Sequence, residues 1–242
     1  MLPAVIRETG VNPTLTVIWL HGLGADGHDF VPIIPELGLP TDAAVRFIFP
    51  HAPAIPVTIN GGYVMPAWYD ILSLDGDQRK VDVAGICASR EAIRQLIATE
   101  NARGVPCSRI VLAGFSQGGA IAWLTGLTHA EPLAGILALS TYLPTPELLR
   151  DELNPACLTS PMLAAHGRHD DVVAEHELVR DPLVPAVRER HGHGRGNGFA
   201  SPGRLPGQLE DLRPHRGVQP GHLEGDGGIL PGQNAPGGHG VL

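Results

Sequence analysis

Basic residues are in short supply: 17 Lys and Arg stand against 25 Asp and Glu in 242 residues, a net charge of −8. A chain so acidic lacks the electrostatic footprint for nucleic acid or for an anionic membrane surface. Long apolar runs are missing too. None approaches the roughly 20 residues that span a bilayer, and Met1 to Gly10 carries Pro3 and Glu8 where a signal peptide would be apolar. The expectation is a chain with no membrane span, at home in the cytoplasm. Cysteine is scarce as well. Cys87, Cys107 and Cys157 lie far apart, fit no metal-ligand spacing and are odd in number, so they are expected as reduced, mostly buried thiols. A hydrophobic content of 43% still suffices for the core of one α/β domain.

The pattern along the chain is one of alternation. Leu15–Leu20 and Val45–Phe49 read as strands, the first ending in the loop His21-Gly22-Leu23-Gly24-Ala25-Asp26-Gly27 and the second at Pro50. Phe30 to Leu37 reads as a short helix despite Pro32 and Pro35. Val83, Ile86, Ile93, Leu96 and Ile97 recur at helical spacing up to about Ala102, before Gly104 and Pro106. A strand then leads to Gly114, a helix runs to about Thr128, and Gly135–Leu139 is a strand. Pro146–Glu152 follows as a helix and Pro161–Ala165 as a strand. Strands alternating with helices predict a mostly parallel sheet covered by helices on both faces, with reactive residues at the carboxyl ends of the strands.

The segment from Arg109 to Gly119 carries the chemistry. An apolar strand, Ile110 to Ala113, stops at Gly114-Phe115-Ser116-Gln117-Gly118, and good helix material follows. Gly-x-Ser-x-Gly between strand and helix is the pattern of a nucleophile elbow, where the chain doubles back so sharply that only small residues fit two positions either side of the serine. The same five residues also arise by chance in glycine-rich loops, and this chain has 31 glycines; the strand–turn–helix setting favours the elbow. Ser116 then stands clear of the sheet, and the amide of Gln117, at a helix N-terminus, faces the oxygen of an attacked carbonyl. The loop at Leu23 offers a second such amide. Asp170 and Asp171 follow a later strand in His166-Gly167-Arg168-His169-Asp170-Asp171, where they supply a triad acid or simply a turn. His21 and His51 also follow strands, but they precede the serine, against the order Ser, Asp, His.

With these pieces placed, the chain resembles the phospholipase/carboxylesterase family of small α/β hydrolases, which includes bacterial carboxylesterases and acyl-protein thioesterases. The matching motifs run in order: His21-Gly22-Leu23-Gly24-x-Asp26, Phe49-Pro50-His51-Ala52-Pro53, Ala67-Trp68-Tyr69-Asp70, Arg109 to Ala120, and His166-Gly167-x-x-Asp170. The resemblance implies a serine hydrolase of carboxylic esters or thioesters, small-molecule substrates included. Ser116 would be its nucleophile, Asp170 its triad acid, and the amides of Leu23 and Gln117 its oxyanion donors. It implies no metal and no organic cofactor. Trp68 and Tyr69 would form an apolar wall for the substrate, or else pack the core beneath a loop. Oligomeric state is not legible.

The resemblance covers about Leu15 to Val173 and then fails. The family carries its triad histidine further on, in a loop after one more strand and before a closing helix, whereas residues 198 to 208 read Gly-Phe-Ala-Ser-Pro-Gly-Arg-Leu-Pro-Gly-Gln. From Asp181 to Leu242 there is no Lys, Tyr, Trp, Cys or Met, and more than a third of positions are Gly or Pro. Such a composition buries too little to offset its ordering entropy. The expectation is therefore an incomplete hydrolase domain over 1–178, its last strand and helix missing, followed by a disordered or out-of-frame tail over 179–242. A change of reading frame between about Val173 and Pro185 would explain the shift. His191, His193, His215 and His222 are candidate substitutes for the base, and their spacings match no standard metal site. Activity is expected to be impaired; the alternative is an inactive acyl-group-binding or interaction protein on the same fold.

Overall fold

The structure, a computed structural model, describes residues 1–73 and 80–167 together with the backbone of 187–192. Its central sheet has seven strands. In chain order these are β1 (Ala4–Glu8), β2 (Leu15–Leu20), β3 (Val45–Pro50), β8 (Ile110–Phe115), β9 (Gly135–Leu139), β10 (Met162–Gly167) and β11 (Val187–Gly192). Two small hairpins, β4 (Ala54–Val57) with β5 (Tyr63–Pro66) and β6 (Ile71–Ser73) with β7 (Lys80–Val81), fill the gap before β8. The helices are α1 (Val83–Ala102), α2 (Gln117–Leu127) and α3 (Pro146–Glu152). Across the sheet the order is β1-β3-β2-β8-β9-β10-β11, parallel throughout except for β1, which runs antiparallel along β3.

Alternation of side chains along each strand sorts the core into two layers. Ile18, Leu20, Ile48, Ile110 and Leu112 face α1 and α2, meeting Ile86, Ile93, Ile97, Trp123 and Leu124. Val17, Trp19, Phe47, Phe49, Val111 and Ala113 face the other way, onto Ile33 and Leu37. All eleven residues of α2 are buried, as a helix apolar on every side must be. Two residues past the end of α1 stands Gly104, whose φ of 93° lies in the left-handed region that favours glycine.

The expected helix over Phe30 to Leu37 is a 3₁₀ helix, Val31–Leu37, with Pro35 inside it. Each proline lacks the N–H that an α-helix would use, and the shorter repeat closes the turn without them. A larger difference lies at the far edge. The sequence places the last strand as missing, yet β11 pairs in parallel with β10 over six positions, Met162↔Val187 to Gly167↔Gly192. Valine followed by alternating residues is enough for a short strand to use the open hydrogen-bonding edge of β10. The expected domain boundary at 178 lies outside the described residues. Cys107 and Cys157 are buried, Cys87 is half-buried, and all three are unpaired. Among the described residues, no helix is long and apolar enough to cross a membrane.

Candidate active site

Parallel pairing brings the ends of β2, β8, β9 and β10 level: Leu20 lies beside Gly114, Phe115 beside Leu139, and Leu139 beside Ala165. Ser116 emerges at that edge, between β8 and α2, with φ 52° and ψ −121°. A non-glycine residue held there stores about 1–3 kcal/mol of backbone strain. Three hydrogen bonds hold it. Its N–H donates to Leu139 O at 2.8 Å, and its carbonyl accepts from Ala120 N at 3.1 Å and from Thr141 Oγ1 at 2.7 Å.

The flanking glycines are demanded by contact. A Cβ on Gly114 would lie 2.3 Å from Gly118 O, and one on Gly118 would lie 2.4 Å from His21 O. Gly119 is equally constrained, since a Cβ there would meet Gly114 O and Thr141 Cβ at 2.9 Å each. The Gly-x-Ser-x-Gly pattern accounts for Gly114 and Gly118 but not for Gly119, which stands just beyond it. Thr141, buried and bonded to the serine's carbonyl, carries no sequence signal at all.

The loop after β2 lies against the serine: a Cβ on Gly22 would be 3.6 Å from Ser116 Cβ and 3.2 Å from the Phe115 ring. Leu23 follows directly, half-buried against the main core. A bond from Gly24 N to Pro66 O, 2.8 Å, pins this loop to β5. Gln117 opens α2, where main-chain N–H groups have no partner within the helix. Its side chain is otherwise engaged: Oε1 accepts from Trp68 N at 2.8 Å and Nε2 donates to Tyr69 O at 2.7 Å. The amide of this one residue thus clamps the segment carrying both aromatics.

Trp68 and Tyr69 are almost fully buried, 1% and 0% exposed. The Trp68 indole donates to His21 O at 2.9 Å, and the Tyr69 hydroxyl meets that of Tyr142 at 2.8 Å. Ser89 Oγ donates to Trp68 O. Both rings belong to the main core under the His21–Gly24 loop. His21 is buried, with Nδ1 2.8 Å from Gly22 O and Nε2 accepting from Ala52 N at 3.1 Å. Those contacts use both ring nitrogens of the neutral imidazole, and burial lowers its pKa. His51 Nδ1 accepts from Gly27 N at 3.2 Å. Asp170, Asp171, His193, His215 and His222 lie outside the described residues. The backbone of His191 is level with His166 at the carboxyl end of β11.

A strained serine stands at a glycine-packed elbow, above a parallel sheet and beside a glycine-rich loop, in a chain whose sequence and fold resemble known proteins. A model of the family described as Phospholipase/Carboxylesterase matches residues 2–180. An acyl-protein thioesterase 1 of Mycosarcoma maydis is 42% identical over 175 residues, covering 69% of this chain and 73% of its own. Another, from Cryptococcus neoformans var. neoformans serotype D, is 35% identical over 235 residues, covering 88% and 97%. Among solved structures, the Zea mays acyl-protein thioesterase 2 is 26% identical with a TM-score of 0.71, covering 88% of this chain and 96% of that one. The chain is a hydrolase of the carboxylesterase and thioesterase type and belongs to the phospholipase/carboxylesterase family.

Proposed function

We propose that Ser116 is an acyl-accepting nucleophile for carboxylic esters or thioesters, and that turnover is limited by the supply of a general base. In this reading Ser116 Oγ bonds to the substrate carbonyl carbon while its proton passes to a base. The amides of Leu23 and Gln117 hold the oxyanion. The C–O or C–S bond then breaks, the alcohol or thiol leaves with a proton, and water releases the acid from the acyl-enzyme. Asp170 orients and balances the base, and the Trp68–Tyr69 segment, its rings buried in the core, braces the loop beside the serine from beneath. Cytoplasmic acyl esters and thioesters are the substrates this reading expects.

The observation that carries it is the backbone of Ser116, held at φ 52° and ψ −121° by glycines that nothing larger can replace. Strain of this kind clusters at reactive sites, and at Ser116 it coincides with the glycine-packed turn between strand and helix. Limited turnover rests on the sequence beyond 180, where the family match ends and residues 198–208 hold no histidine. His21 is no substitute, since both its nitrogens are engaged.

Hydrolysis of p-nitrophenyl butyrate by the full chain, beside Ser116→Ala, tests this directly, with fluorophosphonate labelling as a second readout. Slow labelling that disappears in the variant, with turnover barely above background, is the expected result. Rapid serine-dependent turnover would overturn the shortage of base and assign one to His191, His193, His215 or His222. Absence of labelling would favour the second reading, an acyl-group-binding protein without an activated nucleophile.

A further inference from the structure

Past Leu23, the same loop brings together three metal-ligating side chains that the serine chemistry does not use. Asp26 and His28 come from the loop and His51 from the end of β3, and one ligand atom of each lies within 4.8 Å of the others. The closeness is built into the backbone: a Cβ on Gly27 would lie 2.4 Å from Phe49 O and 3.2 Å from His51 Cε1. Only glycine lets the loop lie this tightly against the strand end. The Asp26 carboxylate is oriented by the His28 main-chain N–H, which donates to Oδ1 at 2.6 Å and lowers the acid's pKa. His28 Nδ1 lies 3.0 Å from that oxygen, and the His28 and His51 ring centroids are 5.3 Å apart. With His28 67% and Asp26 50% exposed, a hydrated cation reaches them from solvent.

We propose that Asp26, His28 and His51 bind one divalent transition-metal ion of the zinc class, clamping the loop to the end of β3. Two imidazoles and one carboxylate are donors that suit zinc, cobalt or nickel and not magnesium or calcium. Zinc bonds of about 2.0–2.1 Å set tetrahedral ligand atoms roughly 3.3 Å apart. The side chains therefore close by a small rotation, and water takes the fourth position. Binding competes with the 3.0 Å contact between His28 Nδ1 and Asp26 Oδ1. A bond through His51 Nδ1 displaces the one from Gly27 N, which at 3.2 Å is already at the long limit; a bond through Nε2 leaves it in place.

Titration calorimetry of the full chain with zinc chloride, with magnesium chloride as control, tests the site against His28→Ala and Asp26→Asn. The expected result is a zinc site on the wild type that each variant weakens at least about tenfold, with no response to magnesium. Zinc should raise the wild-type Tm and leave that of His28→Ala unmoved. Zinc binding equal in His28→Ala and wild type would overturn the proposal and point to the histidines beyond residue 190. Failure of the wild type to bind millimolar zinc would overturn it too. Neither result depends on the function proposed for Ser116.

Discussion

Glu100, near the end of α1, and Ser116, at the start of α2, lie at opposite edges of the sheet and are held by opposite means. Glu100 is 1% exposed, and its charge is answered on every side. Thr16 Oγ1 donates to it at 2.7 Å, Arg46 Nε lies 3.3 Å away, and Arg103 Nη1 donates at 3.0 Å. Arg46 reaches on to Glu8 at 2.5 Å. These contacts tie β1, β2 and β3 to α1 where the parallel strands begin. At the other edge the backbone bends into a conformation that disfavours the residue occupying it, and glycines clear space for that bend. The amino edge pairs its buried acid; the carboxyl edge accepts strain to present a hydroxyl. Stability and reactivity are thus assigned to different ends of the same strands.

The sharpest way to break this comparison is Ser116→Gly. Loss of the nucleophile is expected to abolish fluorophosphonate labelling together with whatever serine-dependent turnover the chain shows. The same change should raise stability by about 1 kcal/mol, the relieved strain less the entropy cost of glycine. Urea unfolding decides the second point: a less stable variant would mean that the serine's bonds outweigh its strain. Glu100→Ala is the counterpart at the amino edge. It leaves Arg46 and Thr16 facing a vacated buried site, at a cost of about 3 kcal/mol. Fluorophosphonate labelling per folded chain should not change. If labelling fell in step with stability, the two edges would not be separable.

These two sites differ just as sharply in how far the sequence reveals them. The elbow is local: strand, glycines, serine and helix lie within Ile110–Leu127, so steric logic alone finds them. The spans Leu15–Leu20, Val83–Ala102, Gly135–Leu139 and Pro146–Glu152 follow equally from local periodicity and its stops. The Glu100 cluster is assembled by folding. Thr16 and Glu100 stand 84 residues apart, and nothing about an acid near the end of an amphipathic helix marks it as buried. The same applies to the Gln117 side chain, which meets Trp68 and Tyr69 across 49 and 48 residues. β11 escaped notice for a different reason: a strand added at an edge takes its order from the neighbour's hydrogen bonds, so a glycine- and arginine-rich composition does not betray it.

Gln117→Ala probes where the two edges' strategies meet, because this side chain is a satisfied buried amide placed beside the strained serine. Removing it leaves Trp68 N and Tyr69 O without their partners. Buried groups orphaned in this way cost about 1–3 kcal/mol each, so a loss of about 2 kcal/mol is expected after partial relaxation. The main-chain amide survives the substitution. Labelling of Ser116 should therefore slow less than stability falls, and a complete loss of labelling would mean that the Trp68–Tyr69 segment shapes the site directly.

The smallest expected effect is acid sensitivity at His21. Burial lowers its pKa below the ordinary 6.5, so the unfolded chain takes up this proton at a higher pH than the folded chain does. The associated stability is therefore fully present above about pH 6.5 and declines as pH falls from there through the lower folded value. The neutral ring is required structurally, since Nε2 must stay unprotonated to accept from Ala52 N. His21→Asn keeps a donor near Gly22 O and removes the titration, so its stability should fall less steeply with acid than that of the wild type, from a lower starting point. Equal slopes over pH 6.5 to 5 would show that the loop beside Ser116 yields to the proton without unfolding, placing this acid response in loop motion and not in the stability of the sheet.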